Sequence, residues 1–140
     1  MTWRTEIRFR SAFPDDAAYE GDVVDVQPGN NIAETLKAAL EELDYRVSDP
    51  IDGGDHGWEL DIWQGRQRIW LQISVLDAEE CYLITNFKTF WLWSKWDVFR
   101  TFLRDLQRIL EADSRFRRIG WFQSGGSAGA RKPAAGPFDP

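Results

Sequence analysis

Two runs in which apolar and polar residues alternate, Trp58 to Gln64 and Gln67 to Leu76, flank the dipeptide Gly65-Arg66. Period two is the period of a strand, since successive side chains leave opposite faces. Glycine at the first central position suits a two-residue type II′ turn, whose twist matches that of the strands it joins. If Gln64 pairs with Gln67, one register satisfies both faces. Ile62 meets Ile69, Leu60 meets Leu71 and Trp58 meets Ile73 on the inner face. The outer face pairs Trp63 with Arg68, Asp61 with Trp70 and Glu59 with Gln72. Arg68 set against Trp63 predicts a cation–π contact, worth about 0.5–1 kcal/mol.

The flanking chain supplies what such a hairpin needs to bury. Trp3 to Arg10 alternates with Trp3, Thr5, Ile7 and Phe9 on one face, which predicts a strand with one wet side. Ser11 to Glu20 reads as an acidic loop, and Val23 to Val26 as a short strand. After Pro28-Gly29-Asn30-Asn31, with an Asn as N-cap, Ile32 to Tyr45 carries the helical stripe Ile32, Leu36, Ala39, Leu40 and Leu43. Tyr45 to Val47 is a brief extended piece and 49–57 a loop. Cys81 to Lys88 is a third strand of the meander. Ser94-Lys-Trp-Asp97 resembles a capping box, opening a second helix that runs to about Ala112. Its stripe is Phe99, Phe102, Leu103, Leu106, Ile109 and Leu110, with Arg100, Arg104 and Arg108 in a row outside. Phe116 to Gln123 is a last strand.

The expected fold is therefore α+β, an antiparallel sheet of four to six strands with two amphipathic helices packed on one face. Residues 1–123 form one domain and 124–140, rich in Gly, Ser, Ala and Pro, a flexible tail.

Composition then narrows function. Eight Trp accompany one His (His56) and one Cys (Cys81). Tryptophan brings rigid contact area, whereas His and Cys bring most of the chemistry that titrates near neutral pH. The balance favours a binder over an enzyme. The net charge of −6 argues against nucleic acid, whose non-specific binding depends on phosphate neutralisation. The charge is unevenly spread: residues 1–64 hold 5 Lys/Arg and 15 Asp/Glu, residues 65–140 hold 12 and 8. Either the halves pair internally or an acidic face meets a basic partner. Met1 to Arg8 shows no hydrophobic signal core, and no apolar run approaches a membrane span. A cytoplasmic protein is expected, without membrane contact.

Several residue groups carry the residue types of a site. Gly125-Gly-Ser-Ala-Gly129 has the Gly-x-Ser-x-Gly pattern, but Ala130-Arg-Lys-Pro133 cannot supply the helix that a nucleophile elbow requires. Asp52-Gly-Gly-Asp-His-Gly57 lacks the spacing of a calcium loop and reads as a turn with an Asx bond. No catalytic residue, cofactor or metal site is expected. Glu59, Asp61, Trp63 and Trp70 share the wet hairpin face, a stacking platform with paired carboxylates. This makes a small-molecule or carbohydrate binder, or a hydrolase, the alternative reading. Phe90-Trp-Leu-Trp-Ser-Lys-Trp96 places three Trp in six residues, which neither period can turn wholly inward. Trp91 and Trp93, with the loop acids Asp15, Asp16, Asp22 and Asp55, form the expected protein-binding set. The expected function is a non-enzymatic protein-binding domain that neutralises or escorts another protein, by analogy with immunity proteins and acidic chaperones. A homodimer through the aromatic segment is a further option.

Overall fold

The computed structural model describes residues 3–125 and 132–138. Its centre is the hairpin of β6 (Trp58–Gln64) and β7 (Gln67–Asp77), in the expected register from Trp58↔Ile73 to Gln64↔Gln67. Gly65 has φ 59°, the left-handed region that the turn demands of its first residue. β8 (Glu80–Phe87) extends the meander, β1 (Glu6–Ser11) lies beside β8, and β9 (Phe116–Phe122) lies beyond β1. All of these pairs are antiparallel.

The sheet has seven strands, more than the four to six expected. The excess comes from one edge. β4 (Arg46–Val47) and β5 (Ile51–Asp52) both pair with β6, at Trp63/Ile62 and at Glu59/Trp58 respectively. Two-residue strands separated by Pro50 carry no readable alternation. A separate hairpin, β2 (Ala18–Glu20) with β3 (Val23–Val26), uses residues that read as acidic loop in its first strand.

The cross-strand pairs put Ile7, Phe9, Leu60, Ile62, Ile69, Leu71, Ile73, Cys81 and Leu83 on one face, each at most 1% exposed. The buried stripes of α1 (Asn30–Glu42) and α2 (Trp96–Ala112) belong to the same core cluster. They supply Ile32, Leu36 and Leu40, and Phe99, Phe102, Leu103, Leu106 and Leu110. Truncating any one of these leucines to Ala would remove its transfer energy and leave a cavity, a loss of about 2–5 kcal/mol. No helix among the described residues is long and apolar enough to cross a membrane.

Both helix starts depart from expectation. Gly29, not an Asn, holds the N-cap position of α1. The Asp16 carboxylate reaches across from the preceding loop and accepts the N–H groups of Gly29 and Asn31, both at 2.8 Å. It thereby satisfies helix-end donors and complements the helix dipole. Ser94 forms no capping box. Its hydroxyl donates instead to the carbonyls of Thr89 and Phe90, and Lys95 is the N-cap residue.

The C-terminal stretch also departs from a tail without a place in the core. Ala134 exchanges two backbone hydrogen bonds with Trp121, at 2.9 and 3.0 Å, and Arg4 N–H donates to Pro137. The Phe138 ring sits edge-on to Trp3, 5.3 Å between centroids, and lies under the guanidinium groups of Arg100 and Arg104. Ala134 and Phe138 are both partly buried against the core cluster. Two arginines of the α2 ridge are thus engaged by an aromatic ring, and Arg108 pairs with Asp105 on its own helix. The remainder of the expected tail, 126–131 and 139–140, lies outside the described residues, as does most of the Gly125–Gly129 pattern.

Candidate interaction surface

Phe90 to Trp96 connects β8 to α2 across the end of the hairpin that carries the Gly65 turn. A short 3₁₀ turn at Trp91–Trp93 throws the side chains outward. Trp91 is 74% exposed and Trp93 68%, with Phe90, Leu92 and Trp96 each more than half exposed. Trp96 does double service, since its edge also packs on Phe87 and Trp3.

The backbone beneath these rings is pinned. Gln67, the first residue of β7, is only 4% exposed. Its side-chain amide donates to the Trp93 carbonyl at 3.0 Å and accepts from the Lys95 N–H at 2.8 Å. Next to it, Arg68 N–H donates to the Thr89 hydroxyl at 2.7 Å, and Lys88 N–H to the Arg68 carbonyl at 2.8 Å. Trp93 N–H closes the turn onto Phe90 at 2.9 Å. The exposed rings therefore stand on an ordered backbone, which lowers the entropy lost when a partner covers them.

Between this segment and the hairpin turn runs an open groove of about 1270 Å³. Arg66, Arg68, Lys88 and Lys95 line it together with Trp63, Leu92 and Trp93, and none of its lining residues is Asp or Glu. Arg68 is held by Asp61, Nη2 to Oδ1 2.7 Å, and Lys88 lies over Trp70. The side chains of Arg66 and Lys95 carry no ion pair among the described residues.

The loop acids do not join this surface. Asp15 and Asp16 line a second groove with Val75, Leu76 and Asp77, at the opposite end of β7 from Gln67. Ten residue steps of about 3.3 Å put those ends roughly 33 Å apart. Asp55 is exposed in the turn before β6, beside the Trp58–Ile73 end of the hairpin, and Asp22 is exposed at the β2–β3 tip. Asp16 is spent on the α1 N-terminus, and Asp15 accepts from Ala17 N–H and the Tyr19 hydroxyl. The four acids and the two tryptophans are thus separate features, and one of the acids is a helix cap.

The wet hairpin face is a ladder of mutual contacts. Trp70 Nε1 donates to Glu59, and Arg68 donates to Asp61 through Nε and Nη2. Arg68 stands opposite Trp63 in the expected register, but its guanidinium goes to Asp61, and the cation over the Trp63 ring is Arg46 of β4, 4.9 Å from its centre. Each carboxylate proposed for acid–base work is already held by a neighbouring donor. In the 52–57 loop, Asp52 accepts from Gly54 N–H at 2.9 Å, the anticipated Asx bond. Burial pushes the Cys81 thiol up to about 11, with Asp77 adding to the effect, so it stays protonated at neutral pH. Burial and the hydrogen bond to Asp105 likewise raise the Tyr45 phenol well above its ordinary range.

No family model matches this chain, and no curated protein is similar to it.

Proposed function

We propose that this chain is a non-enzymatic protein-binding domain whose contact surface is centred on Trp91 and Trp93. The observation that carries the reading is two tryptophans, 74% and 68% exposed, on a backbone tied down by a buried glutamine. Side chains of about 150–250 Å² each, exposed to that degree, present roughly 280 Å² of apolar surface between them. At about 25 cal/mol per Å², covering both would contribute on the order of 7 kcal/mol before the costs of association. Phe90 lies against both rings, and Leu92 and Trp96 beside them are also more than half exposed. They extend the patch into the size range that on monomers is often functional, and Trp is enriched among the residues that dominate binding energy. A protein that neutralises or escorts another needs such a surface and no reactive group.

The test is a comparison of Trp91→Ala, Trp93→Ala and the double variant. Urea unfolding should stay within about 1 kcal/mol of the parent, because exposed side chains have little burial to lose. Proteins that co-purify with the tagged parent chain should be lost from the double variant. Retention of every co-purifying protein by a folded double variant would overturn the proposal.

A further inference from the structure

The charge around the aromatic surface identifies the partner's chemistry. Within a chain of net charge −6, the groove beside Trp93 is lined by four cations and no carboxylate, with one of the four, Arg68, paired to Asp61 just outside the lining. These cations come from three stretches of sequence: the hairpin turn, the end of β8 and the start of α2. Pairing of β7 with β8 and the Gln67 clamp bring the three together. Arg68 is paired with Asp61 and Lys88 lies over Trp70, so Arg66 and Lys95 are the members with neither an ion pair nor a ring contact among the described residues, and both are exposed. The acidic groups of the loops lie at the other end of β7, about three Debye lengths away at 0.1 M salt, and barely offset this local field.

Building on the protein-binding reading, we infer that the groove takes an acidic peptide segment of the partner. Its carboxylates meet Arg66 and Lys95, and an apolar or aromatic side chain lies against Trp93 and Leu92. A guanidinium and an ammonium at the rim select carboxylates, while the indole face rewards an apolar anchor. This reverses the partner charge expected from the acidic first half, because the recognition surface is a basic island in an acidic molecule. Single-stranded nucleic acid would also find cations and rings here. The overall negative charge disfavours a polyanion extending past the groove, whereas a short acidic segment fits within the island.

The experiment is selection of a displayed library of random 12-residue peptides on the full chain, with Arg66→Glu/Lys95→Glu as the comparison. Both substitutions are at exposed side chains, and an unchanged urea midpoint would show the fold intact. Arg66→Gln/Lys95→Gln provides a milder second variant. The inference expects enriched peptides with at least two Asp or Glu beside a Trp, Phe or Leu. Their binding should weaken at least tenfold on the reversed variant and severalfold on the Gln variant. Enrichment of neutral or basic peptides that still lose binding in Trp93→Ala would overturn the acidic partner while leaving the aromatic interface standing. No enrichment at all, with Trp91→Ala/Trp93→Ala keeping every co-purifying protein, would remove both. Tighter binding of an oligo-dT of 16 nucleotides than of any selected peptide, lost in the reversed variant, would overturn the inference in favour of nucleic acid.

Discussion

Replacing Gln67 by Leu should loosen the aromatic segment without touching an aromatic residue. The side chain makes two part-buried hydrogen bonds, to Trp93 C=O at 3.0 Å and from Lys95 N–H at 2.8 Å. Each contributes about 0.5–1.5 kcal/mol net, and a partner left buried without a bond costs about 1–3 kcal/mol. The Trp93 carbonyl and Lys95 amide lie near the surface and can reach water if the segment lifts. That relief caps the loss. The expected destabilisation is therefore about 1–3 kcal/mol in urea unfolding. The more specific readout is hydrogen exchange at the Lys95 amide by NMR, which should quicken at least tenfold while amides of β6 keep their protection. A loss below about 0.5 kcal/mol, with Lys95 exchange unchanged, would refute the claim that Gln67 orders the surface.

Gly65→Val should destabilise by at least about 1 kcal/mol, because φ 59° is disfavoured for a β-branched residue; space is not the limit, since an added Cβ meets nothing within 4 Å. Phe138→Ala should lower stability by about 1–2 kcal/mol, measured by thermal or urea unfolding, through loss of its packing on Trp3 and the arginine stems of α2; a neutral result would mean the C-terminal stretch contributes nothing. Alkaline titration should reveal Cys81. Burial lifts its pKa in the folded chain to about 11, above the ordinary thiol range, so folding favours the thiol. The linked stability is fully present below pH 9 and fades as pH rises toward 11, by on the order of 2 kcal/mol. Cys81→Ala should flatten that part of the stability–pH curve, and an unchanged slope would contradict the assignment.

The hairpin was legible because two independent constraints coincide there: period-two alternation on both sides, and a glycine where the turn needs positive φ. Counting faces required only that the tryptophans between Trp91 and Trp96 could not all turn inward; that both Trp91 and Trp93 face outward is set by the 3₁₀ turn. What sequence could not convey depends on long-range juxtaposition. Gln67 reads as an ordinary polar residue after a turn, and only the β7–β8 pairing brings it under Trp93. Asp16 looks like one more loop acid until α1 lays its N-terminus beside it. The cations of the groove are scattered across thirty residues of chain, so neither a run nor a helical row announces them. Conversely, the Arg100/Arg104/Arg108 row was visible at helical spacing, yet Phe138, far away in sequence, covers part of it. Strands of two residues, such as β4 and β5, carry too little pattern to be counted in advance.

The central claim, that the Trp91/Trp93 surface contacts another protein, is most directly tested by photocrosslinking in the cells that make the chain. Trp91 is replaced by p-benzoylphenylalanine, whose bulk and exposure suit the site, and the control position is the exposed Glu34 on α1. Irradiation should give a discrete adduct of one molecular weight from position 91 and none from position 34, and Arg66→Glu/Lys95→Glu in the same chain should diminish it. An adduct from both positions alike, or from neither, would contradict the account.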